Sequence, residues 1–123
     1  MSSKILYVDD ESDLRDLVDI ALGLHPDLEL RTCASGAEAL KAVAEWRPDL
    51  LLLDVMMPGM DGPQTLNALK AAGHQVPSTV FLTARTGSED IARLMALGAR
   101  DVIAKPFDAL ALADRLRGYI DGE

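Results

Sequence analysis

Four short β-rich runs in this chain each end on a group that can do chemistry. Ile5 to Val8 stops at Asp9-Asp10, Leu50 to Leu53 at Asp54, Thr79 to Leu82 at Thr83, and Asp101 to Ala104 at Lys105. Gathered in one cleft, these carboxylates would repel one another, and burial would raise the pKa of at least one unless a cation neutralised the cluster. A hard divalent ion answers that need. Mg²⁺ takes oxygen ligands from one or two carboxylates, keeps several waters and often binds together with a phosphate, so an all-oxygen acid pocket suits it. His25 and His74, the only histidines, fall in loops elsewhere, which argues against zinc. Lys105 adds a point charge able to pair with Asp54 at rest or with a phosphoryl oxygen, and Thr83 adds a hydroxyl donor for the same group.

Each of these residues also has an ordinary explanation when taken alone. An acid pair ahead of a helix complements the helix dipole. A Lys before Pro is commonly a solvated turn, a Thr at a strand end is unremarkable, and the Met56, Met57 and Met60 cluster reads as loop packing. The chemical reading rests on convergence, and convergence depends on the elements that carry the residues.

Leu50 to Leu53 leaves no polar face, so it reads as a central strand of a parallel sheet, buried on both sides. The following stretch, Val55 to Pro63, holds two prolines and two glycines and must be a loop. Loops at the carboxyl ends of central parallel strands are where open α/β sheets bind ligands. Ahead of it, Lys4 to Val8 forms a first strand. Ser12 is a candidate cap for a helix whose apolar face is Leu14, Leu17, Val18, Ala21 and Leu24, with Gly23 and Pro26 at its end. Leu28 to Cys33 alternates as an edge strand would. Ser35 and Glu38 have capping-box spacing before a helix with Ala39, Leu40, Val43 and Trp46 inward, closed by Pro48. Pro63 stands at a favoured first helical position, with Leu66, Leu69 and Ala72 inward and Gly73 at the end. Thr79 to Leu82 is a second fully apolar strand. Residues 87–90 open a helix carrying Ile91, Leu94, Met95 and Leu97, and Asp101 to Ala104 is a brief fifth strand. Asp108 caps a last helix with Leu112, Leu116, Tyr119 and Ile120 along one side.

Five strands alternating with five helices imply right-handed parallel crossovers and a doubly wound α/β sheet. Its common order, 2-1-3-4-5, brings the ends of strands one, three, four and five to one edge. Asp9, Asp10, Asp54, Thr83 and Lys105 then meet.

Composition narrows the function classes. The 123 residues fit one domain, 1–123, with no separate output module expected. A hydrophobic share of 49% with 26% charged residues is that of a globular protein rather than a disordered chain. A net charge of −8 repels nucleic acid and anionic membranes, so direct DNA reading is not expected. No run approaches a membrane span, and the N-terminus lacks a signal-peptide core. The single cysteine, Cys33, reads as a small buried strand residue, and the expected compartment is the cytosol.

The motifs Val8-Asp9-Asp10-Glu11, Asp54 to Gly62, Thr83-Ala84 and Lys105-Pro106-Phe107 together resemble the response-regulator receiver domains of two-component phosphorelays, over nearly the whole chain. The resemblance implies a flavodoxin-like fold and a signalling switch rather than an enzyme, catalysing only its own phosphorylation and autodephosphorylation. It makes Asp54 the phosphoacceptor and assigns Mg²⁺ to Asp10, Asp54 and the main-chain carbonyl of Met56, with Asp9 acting largely through water. Lys105, the Thr83 hydroxyl and the Ala84 amide would hold the phosphoryl oxygens, and the Lys105-Pro106 bond would be cis. Implied partners are a sensor histidine kinase or phosphotransfer protein and a downstream effector protein. The effector would engage a face made by the fourth helix, fifth strand and fifth helix, on a monomer or weak phosphorylation-dependent dimer.

One position departs from the pattern. Such receivers commonly carry Tyr or Phe three residues before the motif lysine, and here that residue is Val102. A valine cannot swing as a ring does, so the switch is expected to rely on Thr83 and its loop. Met56 and Arg85 are expected to flank the phosphoryl group and control water access. A phosphatase or mutase would need a second Asp two residues after the first, where this chain has Met56. A phosphorylation-independent binding module is the remaining rival, and the intact acid pair, Thr83 and Lys105 argue against it.

Overall fold

The computed structural model describes residues 2–73 and 75–121. His74 lies outside the described residues, so its expected loop position has no structural counterpart here. The elements run β1 (Ser3–Val8), α1 (Ser12–Gly23), β2 (Leu28–Cys33), α2 (Gly36–Trp46), β3 (Leu50–Asp54), α3 (Gly62–Ala71), β4 (Ser78–Thr83), α4 (Ser88–Ala96), β5 (Asp101–Ala104) and α5 (Ala109–Ile120). The five strands are parallel in the order β2-β1-β3-β4-β5, as the alternation of elements implied.

The period-2 geometry of strands explains the leucine run. Leu51 and Leu53 join Leu6, Val8 and Phe81 in a core with Val43, Trp46, Leu66 and Leu94 from α2, α3 and α4. Leu50 and Leu52 join Ile5, Tyr7, Val80, Leu82 and Ile103 in a second core, packed by Val18 and Leu22 of α1 and Leu112 and Leu116 of α5. A central strand that feeds both layers cannot carry a polar residue until it leaves them. β3 does so at Asp54.

Register then sets the site. Val8 pairs with Leu53, Asp54 with Leu82, and Thr83 with Ala104. The residues that follow Val8 and Ala104 are therefore delivered to the same edge as Asp54. Alternation adds a direction: Asp9, Asp54 and Lys105 share the parity of Tyr7, Leu52 and Ile103, the α1/α5 side, whereas Thr83 shares that of Phe81.

Several local expectations are corrected. Ser12 is the first residue of α1 rather than its cap; Glu11 holds that position without a side-chain capping bond. On α1, Leu17 and Leu24 are exposed at 47% and 67%, and Leu22 is buried in their place. Apolar residues at about 100° per position spread around roughly 200° of this helix, twice the stripe a packed helix needs. The sheet and α5 cover the half that holds Val18, Ala21 and Leu22. Ala72 is exposed as the C-cap of α3, and Thr65 is buried on that helix instead. Met95 is likewise exposed, leaving Leu94 as the buried residue of α4.

The capping readings fare better. Ser35 accepts from the Glu38 amide, while the Glu38 carboxylate reaches the Ala34 amide, one residue before the cap. Asp108 accepts from the Leu110 amide as expected. Pro63 occupies the second helical position, behind Gly62, and Asp61 with Gln64 forms a full capping box that fixes where α3 begins. The Lys105-Pro106 peptide bond is cis. Cys33 is buried on β2, which lies at the sheet edge. Among the described residues no helix is long and apolar enough to cross a membrane.

Candidate functional site

At the carboxyl edge, Asp9, Asp10 and Asp54 each offer an oxygen within 4.8 Å of the others. Asp9 is fully buried and Asp54 is 3% exposed, whereas Asp10 is open to solvent. Lys105 enters from the end of β5, its Nζ 2.9 Å from Asp9 Oδ2 and 3.1 Å from Asp54 Oδ1. The expected pairing of Lys105 with Asp54 is therefore present, and the lysine also bridges to Asp9.

The two buried carboxyls are driven apart in acidity. Burial pushes Asp54 up from 3.8 to about 6, helped by the nearby negative charge of Asp9 and opposed by Lys105. Burial also works to raise Asp9, but donation from Tyr7, Glu11 and Lys105 outweighs it and holds Asp9 below its ordinary value. For Lys105, burial favours the neutral amine, yet its hydrogen bond to Asp9 and the charge of Asp54 prevail and raise its pKa. One ammonium thus pairs with two members of a cluster of three carboxylates. The donors are all hard oxygens and their charge exceeds that of Lys105, which fits a divalent cation of the magnesium type and offers no nitrogen or sulfur for a zinc centre.

Thr83 is delivered to the edge but does not face the carboxylates. Its hydroxyl oxygen accepts from the Arg85 amide at 2.9 Å, a bond that closes the turn after β4. Thr83, Met56 and Arg85 line a cleft of about 340 Å³ against α4, together with Val55, Asp90 and Leu94. The Met56 side chain is 62% exposed at its mouth, and Ala84 is exposed beside it. Val102 is half-buried against the core that contains Phe81 and Leu94, so its side chain acts as packing.

The loop after β3 is held to the site by its far end. The Gly62 amide donates to the Val55 carbonyl at 2.9 Å, and the Val55 amide donates to Leu82 at 3.0 Å. A Cβ on Gly62 would lie 2.5 Å from the Asp54 carbonyl oxygen and 2.9 Å from Val55 Cα, so only glycine permits this approach.

Sequence reasoning missed three neighbours of Asp9. The Tyr7 hydroxyl donates to Asp9 Oδ2 at 2.6 Å, the Glu11 amide donates to Oδ1 at 3.0 Å, and Arg15 donates to the Asp9 carbonyl at 2.7 Å. Tyr7 was legible in principle, because a residue two positions before Asp9 on a strand shares its face.

Comparison with known proteins follows the same lines. Residues 5–117 match the family model of the response regulator receiver domain. MtrA of Mycobacterium tuberculosis, a DNA-binding response regulator, is 40% identical over 120 residues, covering 98% of this chain and 51% of that protein. The transcriptional regulatory protein PrrA of the same organism is 37% identical over 119 residues, covering 97% of this chain and 50% of that protein. The chain thus spans about half the length of these curated relatives. The chemotaxis protein CheY4 of Vibrio cholerae superposes with a TM-score of 0.86 at 30% identity, covering 96% of this chain and 98% of that one. With the family model matched across nearly all of its length, the chain belongs to the receiver domains of two-component response regulators.

Proposed function

We propose that Asp54 accepts a phosphoryl group from a phosphohistidine of a sensor kinase or phosphotransfer protein, and that the aspartyl phosphate changes the affinity of an effector protein. The observation that carries this reading is Asp54 itself: a nearly buried carboxylate at the end of the central strand, paired with Lys105 and flanked by two further acids. An Asp54 oxygen attacks phosphorus in line, the P–N bond breaks, and the departing imidazole takes up a proton. Lys105 offsets charge on the transferring oxygens, and Asp9 keeps Lys105 aimed. Asp10, Asp54 and the Met56 carbonyl would hold Mg²⁺, with Asp9 acting through water; the ion would neutralise the acid cluster and the phosphoryl oxygens. The Ala84 amide and the Thr83 hydroxyl would receive the remaining phosphoryl oxygens once Thr83 gives up its bond to Arg85. That rearrangement would reshape the turn after β4 and alter the α4, β5 and α5 face, where the effector binds.

Residues 1–123 act in this reading as one receiver domain in the cytoplasm, whose net charge of −8 favours protein partners over direct contact with nucleic acid. Its catalysis is confined to its own phosphorylation and dephosphorylation, and its assembly to a monomer or a weak dimer formed on phosphorylation.

The test is intact mass after incubation with acetyl phosphate and Mg²⁺. The protein is expected to gain one phosphoryl group, only with Mg²⁺ present and not in an Asp54→Asn variant. No gain, with no Mg²⁺ binding either, would leave a phosphorylation-independent binding module as the function. Arg85 and Met56 line the cleft beside Thr83, a position from which they can screen the acyl phosphate from water. Arg85→Ala is therefore expected to speed dephosphorylation severalfold, followed by loss of phosphorylated mass with time; an unaltered rate would remove Arg85 from the gate.

A further inference from the structure

Tyr7 is a large polar side chain that the reaction described above does not use. It lies on β1 in the α1/α5 core with no exposed surface, yet its hydroxyl does not point into hydrocarbon. It donates to Asp9 Oδ2 at 2.6 Å, a short bond of the kind an ionised acceptor makes.

The hydrogen-bond capacity of Asp9 gives that contact its meaning. An ionised carboxylate has about four acceptor sites, two on each oxygen. On Oδ2, Tyr7 takes one and Lys105 the other, at 2.6 Å and 2.9 Å. On Oδ1, the Glu11 amide takes one at 3.0 Å. A single site on Oδ1 is left for anything that enters the pocket. Tyr7 and Lys105 grip the same oxygen, and Tyr7 does so from the core, where packing against strand neighbours and α1 and α5 fixes its ring.

We propose that Tyr7 is a positioning residue for the acid pocket, which holds the Asp9 carboxylate in one orientation and closes Oδ2, so that the pocket discriminates Mg²⁺ from Ca²⁺. The inference rests on the reading that this pocket binds Mg²⁺. Mg²⁺ demands near-ideal octahedral geometry and retains several waters, so the one open acceptor site on Asp9 Oδ1 would hold a metal-bound water in a fixed direction. Ca²⁺ takes six to eight oxygens and would have to recruit Asp9 directly, through both carboxylate oxygens, which an occupied Oδ2 denies it. The phenol is well suited to a permanent grip, since burial keeps it protonated and a donor throughout the working range of pH.

The experiment compares Mg²⁺ and Ca²⁺ binding by calorimetry in the unaltered protein, in Tyr7→Phe, in Asp9→Asn and in the double variant. Phe keeps the ring and its packing and removes only the hydroxyl. Tyr7→Phe is expected to weaken Mg²⁺ binding about tenfold, the scale on which partners of metal-ligating groups act. Ca²⁺ binding should weaken less, so that discrimination falls. In the Asp9→Asn background the second substitution should add nothing, because Tyr7 works through Asp9. A purely structural role would lower both affinities together and would persist without the Asp9 charge. If Tyr7→Phe binds both ions as the unaltered protein does, or if its effect is undiminished in Asp9→Asn, the proposal is overturned while the metal reading stands. If the unaltered protein binds no Mg²⁺, both fall. A second measurement needs no variant: the buried Tyr7 hydroxyl proton should give a slowly exchanging downfield NMR resonance that shifts on adding Mg²⁺. A resonance that the ion leaves unmoved overturns the proposal.

Discussion

Lys105→Met will destabilise the metal-free protein by about 3–5 kcal/mol near neutral pH, the cost of removing one partner from a buried ion pair. Methionine keeps the length and much of the stem packing, so the substitution isolates the charge. What remains is Asp9 and Asp54, fully and almost fully buried, facing one another with no ammonium between them. The pH dependence follows from the sign of the Asp54 displacement. Burial and then Asp9 already hold its folded pKa at about 6, above its ordinary 3.8. Such a group binds its proton more tightly when folded, so stability is lost as pH rises through that window and is fully present below it. Without Lys105 the upper edge of the window moves higher. The deficit should therefore be smaller at about pH 5, where Asp54 is protonated and only Asp9 has lost its partner, than at about pH 8.

Asp54→Asn supplies the opposite sign. It removes the strained charge while leaving a polar group of the same shape, and should stabilise the metal-free protein at about pH 8 by up to ~3 kcal/mol, the free-energy equivalent of the displacement. Urea unfolding in the presence of a chelator reads both variants. A Lys105→Met deficit of equal size at the two pH values would mean that Lys105 acts through its stem rather than its charge.

Gly62→Ala is expected to cost about 1–3 kcal/mol or more, the range for overpacking, and to slow phosphorylation in proportion to the displacement of Asp54. The added methyl would meet the Asp54 carbonyl oxygen at 2.5 Å and Val55 Cα at 2.9 Å, and backbone cannot rotate aside as a side chain can. Relief requires the start of α3 to withdraw from the end of β3, which breaks the bond from the Gly62 amide to the Val55 carbonyl. Gly59 in the same loop is the control. Its φ of +75° strains any other residue, but nothing lies within 4 Å of its missing Cβ. Gly59→Ala should cost about 1–2 kcal/mol from backbone conformation alone and leave phosphorylation nearly untouched. Urea midpoints and the rate of mass gain with acetyl phosphate separate the two. Equal effects on phosphorylation would show that the loop as a whole, and not its seat on Asp54, governs the site.

The sheet was legible because its strands are written in an unambiguous pattern. Leu50 to Leu53 can only be buried on both faces, and once a parallel order is assigned, the residue that ends each run is placed. Asp9, Asp54 and Lys105 came together for that reason. Helix faces were less legible where the apolar residues exceed what the fold can cover: α1 offers more than one stripe, and only tertiary packing decides that Leu22 goes in while Leu17 stays out. Thr83 shows a different limit. Its position was readable, but the direction of its hydroxyl depends on a turn bond to Arg85 that no periodicity encodes. Tyr7 was hidden by its own ambiguity, since a tyrosine in an apolar strand looks like any other core ring until its hydroxyl is located.

The register of the strands has a consequence for descent. Val8 against Leu53, Asp54 against Leu82 and Thr83 against Ala104 align the reactive groups with the same pairings that sort leucines into the two cores. A one-residue slip in β1, β3, β4 or β5 exchanges side chains between the two cores and moves the acids or the lysine out of reach in a single event. Inherited length changes should accordingly collect in the turns at the opposite edge of the sheet, and diversification within the strands should proceed by exchange of one apolar side chain for another.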